Sequence, residues 1–435
     1  MNGPARDRPS HPSSPPLATV PPLRIAFVDS WKTATAEGTG TAVGIMNLAR
    51  GLSRLGHEVV FVGPSRNGTA PPSGGEVSLL YRRLRYNALL PRRIRREGPF
   101  DLVVGFDIDG VRWSGSSSRP RPGFILALKG IAADEARFAR GRARAQLRFL
   151  ARLEARSARG AHRVVVPSRY SAEVATRVYG LDPRRIRVVP EALDLAPWQA
   201  LAADPPPRPQ VPTLLSVARQ YPRKDTATLI RALPMVRRQV PNLRLRVLGG
   251  GPELPRLQAL TAELGLSQVV SFEGPLPEDE VVRQAYFQSH VFCLPSRQEG
   301  FGIVFLEAMA AGLPIVAVRA AAVPEVVQHG KTGILVPPGS PDALSAALLR
   351  VLGDPELRRR MGEEGRKRVG AFGVEKVAER FLAEVGREAR DAQGPPWDDV
   401  PHDVTPLNGT PEGIEDPEDL QERSAPEGIS AAHVP

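Results

Sequence analysis

Ser296-Arg297-Gln298-Glu299-Gly300-Phe301-Gly302-Ile303-Val304-Phe305-Leu306-Glu307-Ala308-Met309-Ala310-Ala311-Gly312 is the stretch whose reading decides the fold. The apolar run from His290 to Leu294 precedes it and predicts a buried strand that stops at Pro295. A loop with glycine at 300 and 302 comes next. The Ala-, Leu- and Met-rich run from about Gly302 then predicts a helix ended by Gly312. A strand, a glycine turn and a helix N-terminus make an anion pocket, because the first-turn N–H groups lack intrahelical partners and the positive dipole end faces the ligand. Glycine, without a Cβ, lets backbone and ligand approach closely. Glu299 sits in the loop and Glu307 inside the helix, with seven residues between them.

Working outward, the same alternation of short apolar runs and helical patterns recurs in both halves of the chain. Strands are predicted at Leu23–Asp29, Glu58–Val62, Asp101–Phe106, Phe124–Leu128, Arg163–Val166 and Ile186–Val189, then at Thr213–Val217, Leu243–Leu248, Val269–Glu273 and Pro314–Val318. At 435 residues there is room for two domains with separate cores. The Ala/Pro-rich stretch 200–212 reads as the linker between them. Residues 1–22 read as a disordered Pro/Ser-rich arm without a secretory h-region, 64–99 as irregular and basic, and 391–435 as an acidic disordered tail. A final helix over 374–390 is expected to cross back to the first domain.

Composition narrows the function. The single cysteine, Cys293, excludes an internal disulfide framework and a multi-cysteine zinc site, and fits a reducing cytoplasm. The formal charge of +11 is unevenly spread: the tail from Asp391 carries about −10, leaving +21 on residues 1–390. A core so basic suits a nucleotide diphosphate, an anionic membrane surface or nucleic acid. Nucleic acid is disfavoured, since aromatics are only 6% of the chain and do not interleave a basic stripe. Arg82 to Arg96 holds seven arginines, and Ala133–Ala161 predicts one long helix with arginines at 140, 142, 144, 148, 152, 156 and 159. That helix reads either as a solvated face or as a surface for lipid head groups. Asp107-Ile108-Asp109 follows a strand as a D-x-D, which binds a divalent metal in some transferases and is an ordinary loop in many proteins. Lys129 ends another strand, either holding an anionic acceptor or standing in solvent. Arg219 and Lys224 lie beside a helix start, where two fixed cations suit a departing diphosphate.

The Pro-Ser-x-x-Glu-Gly-Phe-Gly and Glu-Ala-Met-Ala-x-Gly-x-Pro context of Glu299 and Glu307 resembles the E-x7-E motif of the retaining glycosyltransferases of family 4 (group 1). Gly249-Gly250-Gly251-Pro252, Gly274-Pro275-Leu276 and the segments Pro324-Glu325-Val326 and Gly330–Val336 resemble further family elements, the last two as a closing hairpin. The likeness spans about residues 23–388. It implies the GT-B fold: a Rossmann-like acceptor domain (23–199) and a Rossmann-like nucleotide-sugar domain (213–373) facing a cleft. It also implies that Glu307 takes ribose hydroxyls and Glu299 sugar hydroxyls, while the N–H groups of Phe301, Gly302 and Ile303 orient sugar and phosphate. Gly274 and Leu276 would read the base, Arg219 and Lys224 would stabilise the leaving diphosphate, and Gly40 would lie near it. No metal and no cofactor beyond the nucleotide sugar is implied, and Asp107 and Lys129 fall on the acceptor side. The pattern is departed from at Thr39 (glycine in the family), Ala42 (often glutamate), Lys129 (often histidine) and Glu191 (asparagine). A phosphorylase or epimerase of the same fold, and a metal-dependent transferase using Asp107 and Asp109, are the competing readings.

Overall fold

The computed structural model describes residues 21–30, 40–63, 76–113, 123–276 and 278–391. The arm before Pro21, the Gly38-Thr39 half of the first glycine loop and the acidic tail lie outside the described residues.

The first half builds β1 (Arg24–Val28), α1 (Gly40–Arg54), β2 (Glu58–Phe61), α2 (Glu76–Glu97), β3 (Leu102–Phe106), β4 (Gly123–Ala127), α3 (Ala132–Glu135), α4 (Gly141–Gly160), β5 (Arg163–Val166), α5 (Arg169–Tyr179), β6 (Ile186–Val188) and α6 (Ala196–Ala203). The second builds β7 (Thr213–Val217), α7 (Thr226–Gln239), β8 (Arg244–Leu248), α8 (Leu254–Glu263), β9 (Val270–Gly274), α9 (Asp279–Phe287), β10 (Val291–Leu294), α10 (Ile303–Ala310), β11 (Ile315–Val318), α11 (Val323–Val326), β12 (Gly333–Val336), α12 (Pro341–Gly353), α13 (Pro355–Val369) and α14 (Val374–Asp391). The strands form two six-stranded sheets in the orders β2-β1-β3-β4-β5-β6 and β12-β11-β10-β7-β8-β9. Among the described residues every strand pairing is parallel. Two Rossmann-like domains of helix-covered parallel sheet result, the architecture of the GT-B fold.

Parallel strands covered on both faces read as continuous apolar runs, and here alternate residues supply two cores per sheet. In the first domain Ala26, Val28, Leu126 and Val164 pack under α2, α4 and α5, while Ile25, Phe27, Val104 and Ile125 pack under α1 and α14. α14 thus places Val374, Val377, Phe381 and Val385 in the first domain's core. Gly51 of α1 makes this approach close: a Cβ there would strike the Val374 carbonyl.

Four expectations change. Residues 76–97 are a helix, not irregular chain. Its inward face mixes Arg83, Tyr86, Asn87, Leu90 and Ile94, so two polar residues and Pro91 blur the apolar period. The helix expected over 133–161 breaks: Arg140 is extended and Gly141 has φ +52°. The expected closing hairpin is a parallel crossover, α11 carrying the chain from β11 to β12 with Ile315 paired to Gly333. Finally, α6 enters the expected linker, and Trp198 is buried with its ring 5.4 Å from that of Tyr286.

Candidate functional site

In open parallel sheets, ligands bind beyond the carboxyl ends of the strands where the strand order reverses. In the second sheet that point lies between β7 and β10, paired through Leu214–Val291 and Leu215–Phe292. The loops after these strands hold Arg219, Lys224, Glu299, Phe301 and Gly302. In the first sheet the reversal lies between β1 and β3, where Asp107 and Asp109 follow β3.

Lys224 and Glu299 form an ion pair at 2.6 Å, with side chains 13% and 8% exposed. Burial pushes the Glu299 carboxyl up, but Lys224 and Arg223 more than offset it, so the group sits below its ordinary value and stays ionised. Gly302 caps the start of α10 with φ +95°, a conformation that L side chains rarely adopt. Ile303, the first residue of α10, and Phe301 before the cap are both buried. One turn further on, the Tyr286 hydroxyl donates to Glu307 Oε2 at 2.6 Å. Tyr286 is itself fully buried and stacked on Phe292, ring centroids 5.6 Å apart. Burial leaves the Glu307 carboxyl above its ordinary value despite this bond.

Around this centre the rim is knitted by backbone bonds. Gln220 N–H donates to the Gly250 carbonyl at 2.9 Å, and Gly249 N–H to the Gly274 carbonyl at 2.7 Å. The segments carrying Arg219, the glycine turn, and Gly274 with half-buried Leu276 therefore form one edge. Arg219 and Arg223 flank the Tyr221 ring at 5.7 and 5.6 Å.

The two domains meet across this centre. Ser168 and Ser171 hydroxyls donate to the Gly300 carbonyl at 2.7 and 3.2 Å. Gln298 Nε2 donates to Asp134 at 3.0 Å, and Arg223 to Glu135 at 3.2 Å. Glu325 accepts the first N–H groups of α5, from Arg169 and Tyr170, at 2.9 and 2.8 Å. The Glu299 loop is thus held by the opposite domain on both flanks. Tyr286, Arg223 and Asp134 are not singled out by the sequence, and Glu325 only as part of the Pro324-Glu325-Val326 segment, without a role of its own. Arg223 has a local signal, its position beside Lys224, whereas the others become visible only through their partners.

In the first domain, Gly40, expected near the diphosphate, is the exposed first residue of α1. The Lys129 N–H donates to Asp107 at 2.9 Å, and the Lys129 ammonium binds Glu191. Burial raises Asp107 to about 6. Asp109 is wholly buried and accepts from Ser30 N at 2.8 Å, Ser30 Oγ at 2.7 Å and Asn87 Nδ2 at 2.8 Å, with Arg83 at 3.4 Å. Its lone pairs are committed to the fold, so it does not join Asp107 as an open metal-binding pair. Among the described residues no group of three or more metal-ligating side chains occurs.

Residues 200–368 match the sequence family described as "Glycosyl transferases group 1", and residues 38–197 the family described as "Glycosyltransferase Family 4". A GDP-mannose-dependent alpha-(1-6)-phosphatidylinositol monomannoside mannosyltransferase of Mycolicibacterium smegmatis is 40% identical over 162 residues, 36% of this chain and 42% of that protein. A D-inositol 3-phosphate glycosyltransferase of Streptomyces bingchenggensis is 32% identical over 235 residues, 50% of this chain and 51% of that protein. The matches span about two-fifths to one half of these relatives' own length. In fold, the chain is similar to a sucrose-phosphate synthase from Thermosynechococcus elongatus (TM-score 0.70, 23% identity, 85% of this chain and 100% of that one). It is also similar to HepE of Anabaena in complex with UDP (TM-score 0.62, 18% identity, 84% and 100%).

Proposed function

Because this chain belongs to the group 1, family 4 glycosyltransferases, we propose that it moves a sugar from a nucleotide-diphosphate sugar to a hydroxyl acceptor with retention of anomeric configuration and without a metal. The observation that carries the reading is the Lys224–Glu299 pair at the sheet's switch point, one helical segment from the Tyr286-braced Glu307. Glu307 takes the ribose hydroxyls, Glu299 the hydroxyls of the transferred sugar, and the backbone of Phe301, Gly302 and Ile303 orients sugar and phosphate. Gly274 and Leu276 face the base. Arg219 and Lys224 meet the negative charge that grows on the diphosphate, a stabilisation made mainly in the transition state. Although Lys224 is paired with Glu299, the cations Arg219, Arg223 and Lys224 outnumber the carboxylates Glu299 and Glu135, so this group keeps positive charge to offer. The C1–O bond to the diphosphate breaks, and the acceptor oxygen bonds C1 on the same face. The acceptor proton passes to the departing phosphate oxygen. Two cations at the leaving group support metal independence, as does the committed state of Asp109.

One relative uses GDP-mannose and one neighbour binds UDP, so the donor screen runs over UDP-, GDP- and ADP-sugars. A donor that binds the native state raises its melting temperature. Transfer shows as free nucleoside diphosphate with the sugar on the acceptor, and its anomeric configuration reads out retention. Activity abolished by EDTA would favour a metal-dependent route. Sugar phosphate or an epimerised nucleotide sugar as product would favour the phosphorylase or epimerase reading.

A further inference from the structure

Lys129 and Glu191, two separate departures from the family pattern, are one unit in the fold. They lie 62 positions apart, after β4 and after β6, and the Lys129 ammonium donates to Glu191 Oε1 at 3.0 Å and to Oε2 at 2.8 Å. The two side chains are 10% and 7% exposed. The Phe106 ring, at the end of β3, lies 5.9 Å from the ammonium. The pair therefore stands at the carboxyl edge of the first sheet, where such sheets take ligands.

Its other side meets the second domain. A Cβ on Gly44 would collide with Glu191 Oε2 and lie 3.4 Å from Ile303 Cδ1. A Cβ on Gly300 would lie 3.2 Å from the Lys129 carbonyl oxygen. Lys129 and Glu191 thus border the loop and helix start assigned above to the transferred sugar.

A lone, desolvated ammonium at this corner would attract phosphate or carboxylate. Bound to Glu191 it has no net charge to offer. A buried ion pair adds little stability over apolar packing of the same volume, so its consequence lies in what it admits. The remaining N–H of the ammonium and the remaining lone pairs of the carboxylate suit hydroxyls, which donate and accept. An anion would meet the Glu191 carboxylate.

We propose that Lys129 and Glu191 form a neutral, specificity-determining pair that admits an uncharged, hydroxyl-bearing part of the substrates to this corner of the cleft and keeps phosphate and carboxylate groups out. The inference rests on the transferase reading.

The test uses the full chain, saturated with whichever of UDP, GDP and ADP stabilises it, and titrated calorimetrically with inorganic phosphate. The wild type is expected to show no saturable phosphate site. Glu191→Gln is expected to gain one at least tenfold stronger than any wild-type signal, and Lys129→Gln added to it removes that site. The swapped pair, Lys129→Glu with Glu191→Lys, restores neutrality and is expected to exclude phosphate as the wild type does. Saturable wild-type binding that Lys129→Gln abolishes would overturn the proposal. So would the absence of gain in a nucleotide-binding Glu191→Gln protein. Should Glu191→Gln bind no nucleotide, the swapped pair decides: exclusion of phosphate supports the proposal, and binding overturns it. If no nucleotide binds the wild type, the transferase reading itself falls and takes this inference with it.

Discussion

At the scale of single residues, Glu307 is set by two opposed effects. Burial raises its carboxyl, and the Tyr286 hydroxyl lowers it without fully offsetting burial. In the role proposed above, the ionised form would accept the ribose hydroxyls, so donor affinity should begin to fall at a pH above the usual glutamate range as the solution is acidified. Tyr286→Phe deletes the lowering contribution, and this acid limb of nucleotide binding should move to higher pH. Glu307→Ala should weaken nucleotide-sugar binding by about 1.5–3 kcal/mol, the usual size of a charge-assisted hydrogen bond. Calorimetry across pH checks both, and unchanged affinity would remove Glu307 from the ribose. Arg219 and Lys224 make a different prediction. If they meet charge that develops as the bond breaks, Arg219→Ala and Lys224→Ala should lower kcat more than they raise KM. An effect confined to KM would return them to ground-state binding.

At the scale of elements, α4 carries a buried ionisable group that has no part in the transfer proposed above. Glu154 is buried under the first domain, accepting from the Tyr179 hydroxyl and the Ala132 N–H. Burial pushes its carboxyl up to about 8. The native state therefore keeps a proton that the unfolded chain releases at ordinary glutamate pH. Stability from this group is complete below about 4.5, the unfolded value, and is lost as pH rises through about 8. Glu154→Gln imitates the protonated acid and retains an oxygen for both donors. It should stabilise the protein by about 1–3 kcal/mol at pH 8 and match the wild type near pH 5. Urea unfolding at the two pH values reads this out, and equal stability at pH 8 would contradict it. The helix α2 teaches a related lesson. It was hidden in the sequence because its buried face carries Arg83 and Asn87, whose charge and amide meet Asp109 rather than apolar neighbours.

At the scale of the whole molecule, the basic charge has a location. Arginines 140, 142, 144, 148, 152, 156 and 159 are exposed in or beside α4, and a groove there is lined by Arg144, Arg148 and Arg152. Exposed Phe149 lies among them, and Tyr81 and Leu84 stand exposed on the arginine-rich α2. Among the described residues no helix is long and apolar enough to cross a membrane. Apolar tips set among arginines suit reversible docking on anionic lipid head groups, each cation contributing on the order of 1 kcal/mol within a Debye length. The 435-residue chain should co-sediment with anionic vesicles, not neutral ones, and detach at high salt. Absence of binding by both the full chain and a chain ending at Arg390 would reject docking, since the shorter form lacks the acidic tail, whose charge is opposite to that of the arginines.

The sequence by itself determined the two β/α repeats, because fully covered parallel strands are unbroken apolar runs and need no partner to be recognised. It also determined the Glu299–Glu307 segment, because strand end, glycine turn, helix start and both carboxylates are contiguous. Only the tertiary structure decided which charges are free to meet a substrate. Asp109 looked available and is spent on Ser30, Asn87 and Arg83. Lys129 looked like a lone cation and is neutralised by a carboxylate 62 positions away. Glu307 depends on a hydroxyl from α9, and the Glu299 loop on serines of the opposite domain. Each of these pairings joins residues that local periodicity does not relate. A side chain's charge is written in the sequence, but its partner is chosen by packing.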